Sequence, residues 1–265
     1  RLHGRFHPDL ATTLSRKGQL LYLRGDYDAA EQTYRQALGM FEALFGAEYP
    51  EALRTRQGLA TVLLHGQERF AEAEALFREI LALHRAARAD TSLIVADATR
   101  GLGLTLFYQG RNEEAAEILR PALMEHLRLY GELHPVTILT MQALSANLRD
   151  LGRVDEAVAI QEKVLHIHRQ LYGEAHPSTV FARYVLAFNL HRKGDFEAAQ
   201  PLSREVVAQT IEEHGESHPL TGRYVRFHAY VLLDRGDAAA AEPLLRQALA
   251  IYRNAYSYQH ADEAG

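Results

Sequence analysis

The sequence repeats itself with a period of 42 residues. The motif Gly-x-x-His-Pro recurs along the chain, and its prolines are Pro8, Pro135, Pro177 and Pro219. The segment 46–50 is the same motif with Tyr49 in the histidine position, and its Pro50 lies one period after Pro8. The interval from Pro50 to Pro135 is two periods plus one inserted residue. A fixed period of this length predicts stacked copies of one supersecondary unit, because such a unit buries its apolar face only against its neighbours.

Six periods cover nearly all of the 265 residues. We therefore predict one array over 1–265, with repeats at 8–49, 50–92, 93–134, 135–176, 177–218 and 219–260. Residues 1–7 align with the segment that leads up to Pro135, so we expect them to be the tail of a preceding repeat and the chain to be a fragment. At the other end, residues 257–261 match a junction that has lost its glycine and proline.

Each repeat is predicted to contain two helices joined by a turn. The turn carries a second glycine marker in phase with the prolines, at Gly25, Gly110, Gly152, Gly194 and Gly236. Proline suits the first turn of a helix, and glycine supplies the positive φ that ends one. A leucine recurs in every first helix, preceded three positions earlier by a small residue, and an alanine recurs early in every second helix. Small residues at one register predict close helix packing.

Three positions depart from this pattern. Residues 67–69 hold the inserted residue of the second repeat, and residues 89–93 replace its junction motif. We expect a longer and less regular connection there, which could bend the array between residues 66 and 93. Pro121 falls inside a predicted second helix, where its ring should kink the helix.

These features resemble tetratricopeptide repeats, and the 42-residue period with Gly-x-x-His-Pro junctions is similar to the long repeat of kinesin light chains, which many bacterial signalling proteins share. The resemblance covers essentially the whole chain. It implies an all-α fold, a right-handed superhelix of six helix–turn–helix repeats whose first helices line a concave groove. The paired asparagines of the kinesin light chain groove are missing, so its cargo recognition is not carried over.

Composition excludes several classes of function. The absence of cysteine rules out disulfides, thiol nucleophiles and thiolate zinc sites, and the net charge of −5 argues against nucleic acid as a partner. No apolar run approaches the roughly 18–20 residues that span a bilayer. No phosphate-binding loop, serine elbow or His-Glu-x-x-His motif is present, so we predict no catalytic residue, cofactor or metal site. The junction histidines recur once per repeat, which separates them by one solenoid step and favours a structural role. Only three of the 29 basic residues are lysine, a skew typical of a GC-rich bacterial genome.

The stripe at offsets of four, seven, eleven and fourteen residues from each junction lies on one helical face. It is rich in arginine and aromatic residues, the types enriched at binding hot spots. The predicted partner-binding residues are Arg54, Gln57, Arg100, Phe107, Gln142, Arg149, Tyr184, Phe188, His191, Arg223, Arg226 and Tyr230. The alternative is that the aromatic residues pack between repeats and the arginines are solvated.

We predict a cytoplasmic protein–protein interaction scaffold without catalysis, which binds an acidic or aromatic-containing peptide segment in this groove. One alternative is a regulatory or sensor region of a larger signalling enzyme, a kinase or nucleotide-switch ATPase, whose catalytic domain lies outside this chain. A third hypothesis is self-association through the ends of the array, where an apolar face would lack a partner.

Overall fold

In a computed structural model, which describes residues 7–87 and 92–262, the chain forms twelve α-helices and the described residues contain no strand. The helices are α1 (Pro8–Leu23), α2 (Tyr27–Phe45), α3 (Pro50–His65), α4 (Phe70–Ala87), α5 (Ser92–Tyr108), α6 (Asn112–Tyr130), α7 (Pro135–Asp150), α8 (Val154–Tyr172), α9 (Pro177–Lys193), α10 (Phe196–His214), α11 (Pro219–Asp234) and α12 (Ala238–Asp262). The predicted two helices per repeat are confirmed. The expected tail at residues 1–6 and most of the irregular junction at residues 88–91 lie outside the described part of the chain.

The predicted inserted residue changes the turn of the second repeat. In the other repeats the turn glycine adopts a positive φ, as Gly194 does at 85°. After α3 the cap residue Gly66, which aligns with Arg24 of the first repeat, has a φ of −98°, and the positive φ falls on Glu68, at 52°. The insertion is therefore absorbed in the turn between α3 and α4, and both helices keep their register.

The junction histidines cap the first helices. His7, His134, His176 and His218 each accept, at Nδ1, a hydrogen bond of 3.1–3.3 Å from the backbone N–H two residues later. This bond satisfies one of the N–H groups that the first turn of a helix leaves unpaired. Tyr49 makes no such bond, and its ring instead stacks on Phe45 at 4.4 Å. The predicted structural role of these histidines is therefore helix capping.

The recurring small residues allow the helices to approach closely. A Cβ atom added at Gly18 would lie 3.0 Å from the ring of Tyr34, and one at Gly103 would lie 2.7 Å from Leu119. The alanine early in the second helix is buried throughout, from Ala30 to Ala241. Helix packing therefore accounts for the small-residue register.

Three prolines lie inside second helices, and none ends its helix. α6 runs from Asn112 to Tyr130 through the exposed Pro121. Pro201 in α10 and Pro243 in α12 lie one period apart, each at the sixth position of its helix, and were not part of the prediction. α12 continues through residues 257–261 to Asp262. The missing glycine and proline of that junction leave the helix without its usual stop signal.

The chain divides into two compact units, residues 1–147 and 148–265. The largest apolar core of the first unit runs from α2 to α6, and the second unit holds smaller clusters around Val206 and around Leu232. Each unit also buries one arginine. Arg56, only 2% exposed, pairs with Glu42 and lies 3.3 Å from Glu79.

In the second unit, Arg183 has the same environment. Its side chain is 1% exposed, pairs with Glu174 and lies 3.2 Å from Glu205. Both arginines lie six residues after a junction proline, and the sequence analysis missed them. Arg56 lies between Glu42 on α2 and Glu79 on α4. The carboxylates around Arg183 come from the junction after α8 and from α10. In both cases the carboxylates offset the cost of burying the charge.

Replacing His176 tests the capping role of the junction histidines. We expect His176→Ala to lower the free energy of unfolding by about 1 kcal/mol, because the N–H of Ser178 loses its acceptor. His176→Asn should retain most of the stability, since asparagine caps helices through its side-chain oxygen. Urea unfolding of the two variants measures this difference; equal loss in both would contradict the capping role.

Candidate functional site

The predicted stripe contributes to two separate surfaces, one in each unit. In the first unit it lines a cavity of about 490 Å³ between α1, α3 and α5. Six stripe residues of the first two repeats belong to this lining: Ser15, Gln19, Tyr22, Arg54, Gln57 and Thr61. Asp97, a stripe residue of the third repeat, also lines it, together with Arg16, Tyr34, Gly58, Leu93, Ile94 and Tyr130. The volume is in the range of pockets that hold a small ligand or a few peptide side chains.

The cavity has hydroxyl, amide and charged groups on its walls. Arg54 forms an ion pair with Glu51 at 2.9 Å, so part of its charge is compensated. Burial raises the pKa of Tyr34 to about 12, and the neighbouring Tyr22 adds to the shift. Burial also raises the pKa of Tyr22. Both phenols therefore stay protonated at neutral pH and can donate hydrogen bonds.

Arg100 lies beside this cavity but is not part of its lining. Its charge is felt by Tyr22 and by Asp97. Burial lowers the pKa of the Arg100 guanidinium, and the carboxylate of Asp97 opposes that shift. The Nε atom of Arg100 is buried without a hydrogen-bond partner. This guanidinium is therefore poorly solvated and incompletely paired.

The second unit carries an aromatic cluster between α9 and α11. Tyr184 lies 4.9 Å from Tyr224 and 5.1 Å from Phe227, measured between ring centroids. Phe188 lies 5.9 Å from Phe227. Rings at these separations attract each other beyond the burial of their area. The cluster gives this part of the unit a rigid, partly exposed apolar floor.

Two arginines of the predicted stripe lie over this floor. The guanidinium carbon of Arg149 is 5.2 Å from the ring centre of Phe188, and that of Arg223 is 5.4 Å from the ring centre of Tyr184. Arg149 also pairs with Asp150 at 3.0 Å, whereas Arg223 is exposed. At these distances the ring attracts the guanidinium, whose N–H groups can still bind carboxylates.

His191 and Arg226 extend the surface in two directions. Nε2 of His191 is 2.6 Å from Asp234, and its ring meets Phe227 edge-on at 5.9 Å. Arg226 lies 5.6 Å from the ring centre of Tyr252. Arg223, Arg226 and Tyr252 line a second cavity, of about 430 Å³, with Pro219 and Leu220.

The structure does not bring all twelve predicted residues together. Phe107 packs, half-buried, against the core of the first unit, and Gln142 is half-buried on α7 outside the cavity lining. Tyr230 is 44% exposed on α11. The sequence analysis missed a further set that lies on adjacent helical faces or on second helices: Tyr34, Tyr130, Tyr224, Phe227 and Tyr252. A search for aromatic residues one position beside the stripe would have found Phe227 and Tyr224.

A buried serine–histidine contact in the second unit does not form a nucleophile. Ser203 Oγ lies 2.8 Å from Nδ1 of His228, but its hydroxyl donates to the carbonyl of Gln200 at 2.9 Å. Nδ1 must therefore carry the proton and donate to the serine, which is the reverse of base activation. Burial also lowers the pKa of His228, and Arg204 adds to that shift.

Within the described part of the chain, no group of three or more His, Asp and Glu side chains could hold a metal ion. The same residues include no helix whose length and apolar character would allow it to cross a bilayer.

Comparison with known proteins identifies the repeat. The family model described as "Tetratricopeptide repeat" matches residues 9–86, 52–124, 137–209 and 184–254. No curated protein matches the sequence significantly.

Several solved structures share the fold at low sequence identity. A putative kinesin light chain of Podosopora anserina, with nearly identical TPR-like repeats, is 21% identical with a TM-score of 0.67, covering 78% of this chain and 97% of its own. BtubC (BKLC) from P. vanneervenii is 18% identical with a TM-score of 0.67, and the match covers 94% of this chain and 91% of BtubC. Pseudomonas aeruginosa pilF is 19% identical with a TM-score of 0.59, and the match covers 97% of this chain and 98% of pilF. At these identities the comparison establishes the fold alone.

The raised pKa of Tyr34 in the first-unit cavity predicts how stability changes at alkaline pH. An unfolded tyrosine ionises near pH 10, whereas the folded chain keeps Tyr34 protonated up to about pH 12. Between these values the folded state binds more protons, so the stability present below about pH 10 is lost as pH rises. Tyr34→Phe should make this loss shallower, measured as the urea midpoint across alkaline pH. Tyr108→Phe, at a half-exposed tyrosine of the same unit, is the control; equal effects would contradict the prediction.

Proposed function

Because this chain belongs to the tetratricopeptide repeat family, we propose that it is a protein–protein interaction scaffold that binds a partner segment and catalyses no reaction itself. TPR domains bind proteins or peptides, and stacked helical repeats offer extended surfaces for that purpose. The finer proposal is that the partner segment carries acidic and aromatic side chains and lies along the first helices. Its main contacts would be in the second unit.

The observation that carries this proposal is the position of Arg149 and Arg223 over the rings of Phe188 and Tyr184. A guanidinium that is attracted to a ring loses less freedom when it binds a carboxylate, which reduces the entropic cost of binding. The aromatic floor beneath it offers apolar area to an aromatic side chain of the same segment. Arginine and tyrosine are the residue types that dominate binding energy at protein interfaces.

The first-unit cavity contributes contacts of a different kind. Gln19 and Gln57 bring amide groups, Ser15 and Thr61 bring hydroxyls, and Arg54 brings a partly compensated charge. Such groups suit hydrogen bonds to a polar side chain or to peptide backbone. We further propose a bacterial, cytoplasmic setting, for which the arginine-rich composition is the support.

Self-association is a second candidate, favoured by one apolar groove. A groove of about 420 Å³ between α11 and α12 is lined by Leu233, Ala241, Leu245 and Leu249, and Leu249 is 48% exposed. If a second copy covers this groove, the mass in solution should rise with protein concentration. Light scattering on the native chain and on Leu249→Glu measures it: a monomer at all concentrations contradicts self-association.

The double variant Arg223→Ala/Arg226→Ala tests the proposed binding surface. We expect affinity for synthetic peptides that combine glutamate with an aromatic residue to fall tenfold or more, about 1.4 kcal/mol. The salt dependence of binding should also flatten, because two exposed cations are lost. Fluorescence anisotropy with labelled peptides, at low and moderate salt, measures both effects.

The matched control is Arg204→Ala/Arg246→Ala. Both arginines are exposed in the same unit but lie on the second helices α10 and α12, away from the aromatic cluster. This variant has the same change in net charge. The proposal fails if the two double variants bind the peptides equally well, or if peptides with lysine in place of glutamate bind as tightly.

A further inference from the structure

The first unit encloses a histidine that has no access to solvent. His126 on α6 is 0% exposed and lies between Asp97 on α5 and Thr140 on α7. Its Nδ1 is 2.9 Å from the Thr140 hydroxyl oxygen, and its Nε2 is 3.4 Å from Asp97 Oδ1. Nothing in the proposed binding function uses this side chain.

The hydroxyl of Thr140 determines where the first ring proton lies. That hydroxyl donates its own hydrogen to the backbone carbonyl of Val136 at 2.8 Å. Its oxygen can therefore only accept from His126, so Nδ1 of the ring must carry a proton. In a neutral imidazole the other nitrogen, Nε2, would then present a lone pair.

That lone pair would face a second acceptor. Asp97 Oδ1 and His126 Nε2 are both inaccessible to solvent, and neither has a hydrogen-bond partner. Two acceptors 3.4 Å apart repel each other, and the gap is too short to hold a water molecule between them. Leaving two buried polar atoms unpaired is unfavourable for each of them.

One added proton removes this conflict. We propose that the folded chain binds a proton between His126 and Asp97, so that a buried imidazolium–carboxylate pair joins α5 to α6 behind the first-unit cavity. The proton belongs on the ring because a carboxyl group is the stronger acid. Both ring nitrogens then donate, to Thr140 and to Asp97, and the second bond gains the strength of a charge-assisted hydrogen bond.

The surrounding ionisable groups are compatible with this assignment. On α5, Arg100 lies one turn from Asp97, and the guanidinium of Arg100 is attracted to the carboxylate of Asp97. On α6 the neighbours are Glu125, whose charge is felt by His126, and Tyr130, whose ring centre is 5.9 Å from that of His126. Burial raises the pKa of Tyr130, and the charge of Asp97 adds to the shift. α7 contributes the hydroxyls of Thr137 and Thr140.

Asp97 also lines the first-unit cavity, as does Tyr130. The protonation of the His126–Asp97 pair therefore changes the charge of the cavity wall. With the proton bound, the carboxylate of Asp97 is compensated from behind. When the proton leaves, the carboxylate loses that partner and the packing of α5 on α6 loses a bond. Rising pH should therefore weaken the first unit and make the cavity more negative.

His168 is an internal control for this proton. It lies one period after His126 and is also buried, and its Nδ1 is 2.9 Å from the carbonyl oxygen of Ser178. A carbonyl only accepts, so Nδ1 of His168 is protonated as well. The position one period after Asp97 is Leu139, so the repeat offers no carboxylate at that register.

Nitrogen NMR of the native chain at about pH 8, where an unperturbed histidine is neutral, tests the proposal directly. We expect protons on both ring nitrogens of His126 and on one ring nitrogen of His168. In Asp97→Asn, His126 should become neutral, since the asparagine amide can donate to Nε2 without an added proton. A neutral His126 in the native chain at this pH would overturn the proposal.

Stability provides an independent readout. Because the folded state binds the extra proton, its contribution is fully present below about pH 6.5, where the unfolded histidine titrates, and is lost as pH rises. The urea midpoint of the native chain should therefore fall between about pH 6 and pH 9 more steeply than that of Asp97→Asn or His126→Gln. Identical slopes in the native chain and in Asp97→Asn would also overturn the proposal.

Discussion

The close approach of neighbouring helices at glycine and alanine positions is the constraint on which the rest of each unit depends. A Cβ atom at Gly58 would lie 2.6 Å from the ring of Tyr34, and one at Gly101 would lie 2.4 Å from that of Phe77. Large rings on second helices therefore occupy the space that the first helices leave open. At the recurring small-residue register, a Cβ atom at Gly18 would lie 3.0 Å from Tyr34 and one at Gly103 would lie 2.7 Å from Leu119, so this register sets how closely the two helices of one repeat pack.

This packing also determines which residues remain available for binding. A first helix uses one side for the second helix of its own repeat and another for the preceding repeat. What is left is a narrow face, and its contents differ between the two units. In the first unit that face combines amides, hydroxyls and phenols, whereas in the second it combines arginines with aromatic rings. One backbone geometry therefore supports two surfaces of different chemistry.

The interior of the repeats is not uniformly apolar. Arg56 and Arg183 are buried among carboxylates of neighbouring segments, and His126 is buried against Asp97 and Thr140. A buried charge that loses its partner is strongly destabilising, so each of these groups restricts which side chains can occupy the neighbouring repeat. The helical period alone would be compatible with shifted pairings of the helices. These polar contacts distinguish the native pairing from the shifted ones.

The junction motif ends one helix and begins the next through local interactions. Proline begins the first helix and histidine caps it, while the preceding glycine ends the second helix of the repeat before. All three roles act on backbone groups within a few residues, and the histidine acts through its side-chain Nδ1. They are satisfied within the motif itself, whichever partner the array binds.

The sequence by itself determined the fold, because the signals for it are local and repeated. Gly, Pro and the small-residue register specify where helices begin, end and cross, and these effects act within a few residues of the chain. Even the insertion near Glu68 was located from the period alone.

Only the tertiary structure decided how the residues of the predicted stripe combine. The guanidinium of Arg223 lies near the ring of Tyr224, which is outside the predicted stripe. Phe107 belongs to the stripe, yet it packs against a core. The pairing of His126 with Asp97 joins residues 29 positions apart on two helices, and no periodic signal specifies it. Which side chains contact each other depends on how far two helices are shifted and rotated relative to each other. The packing of whole helices determines this, whereas local sequence does not.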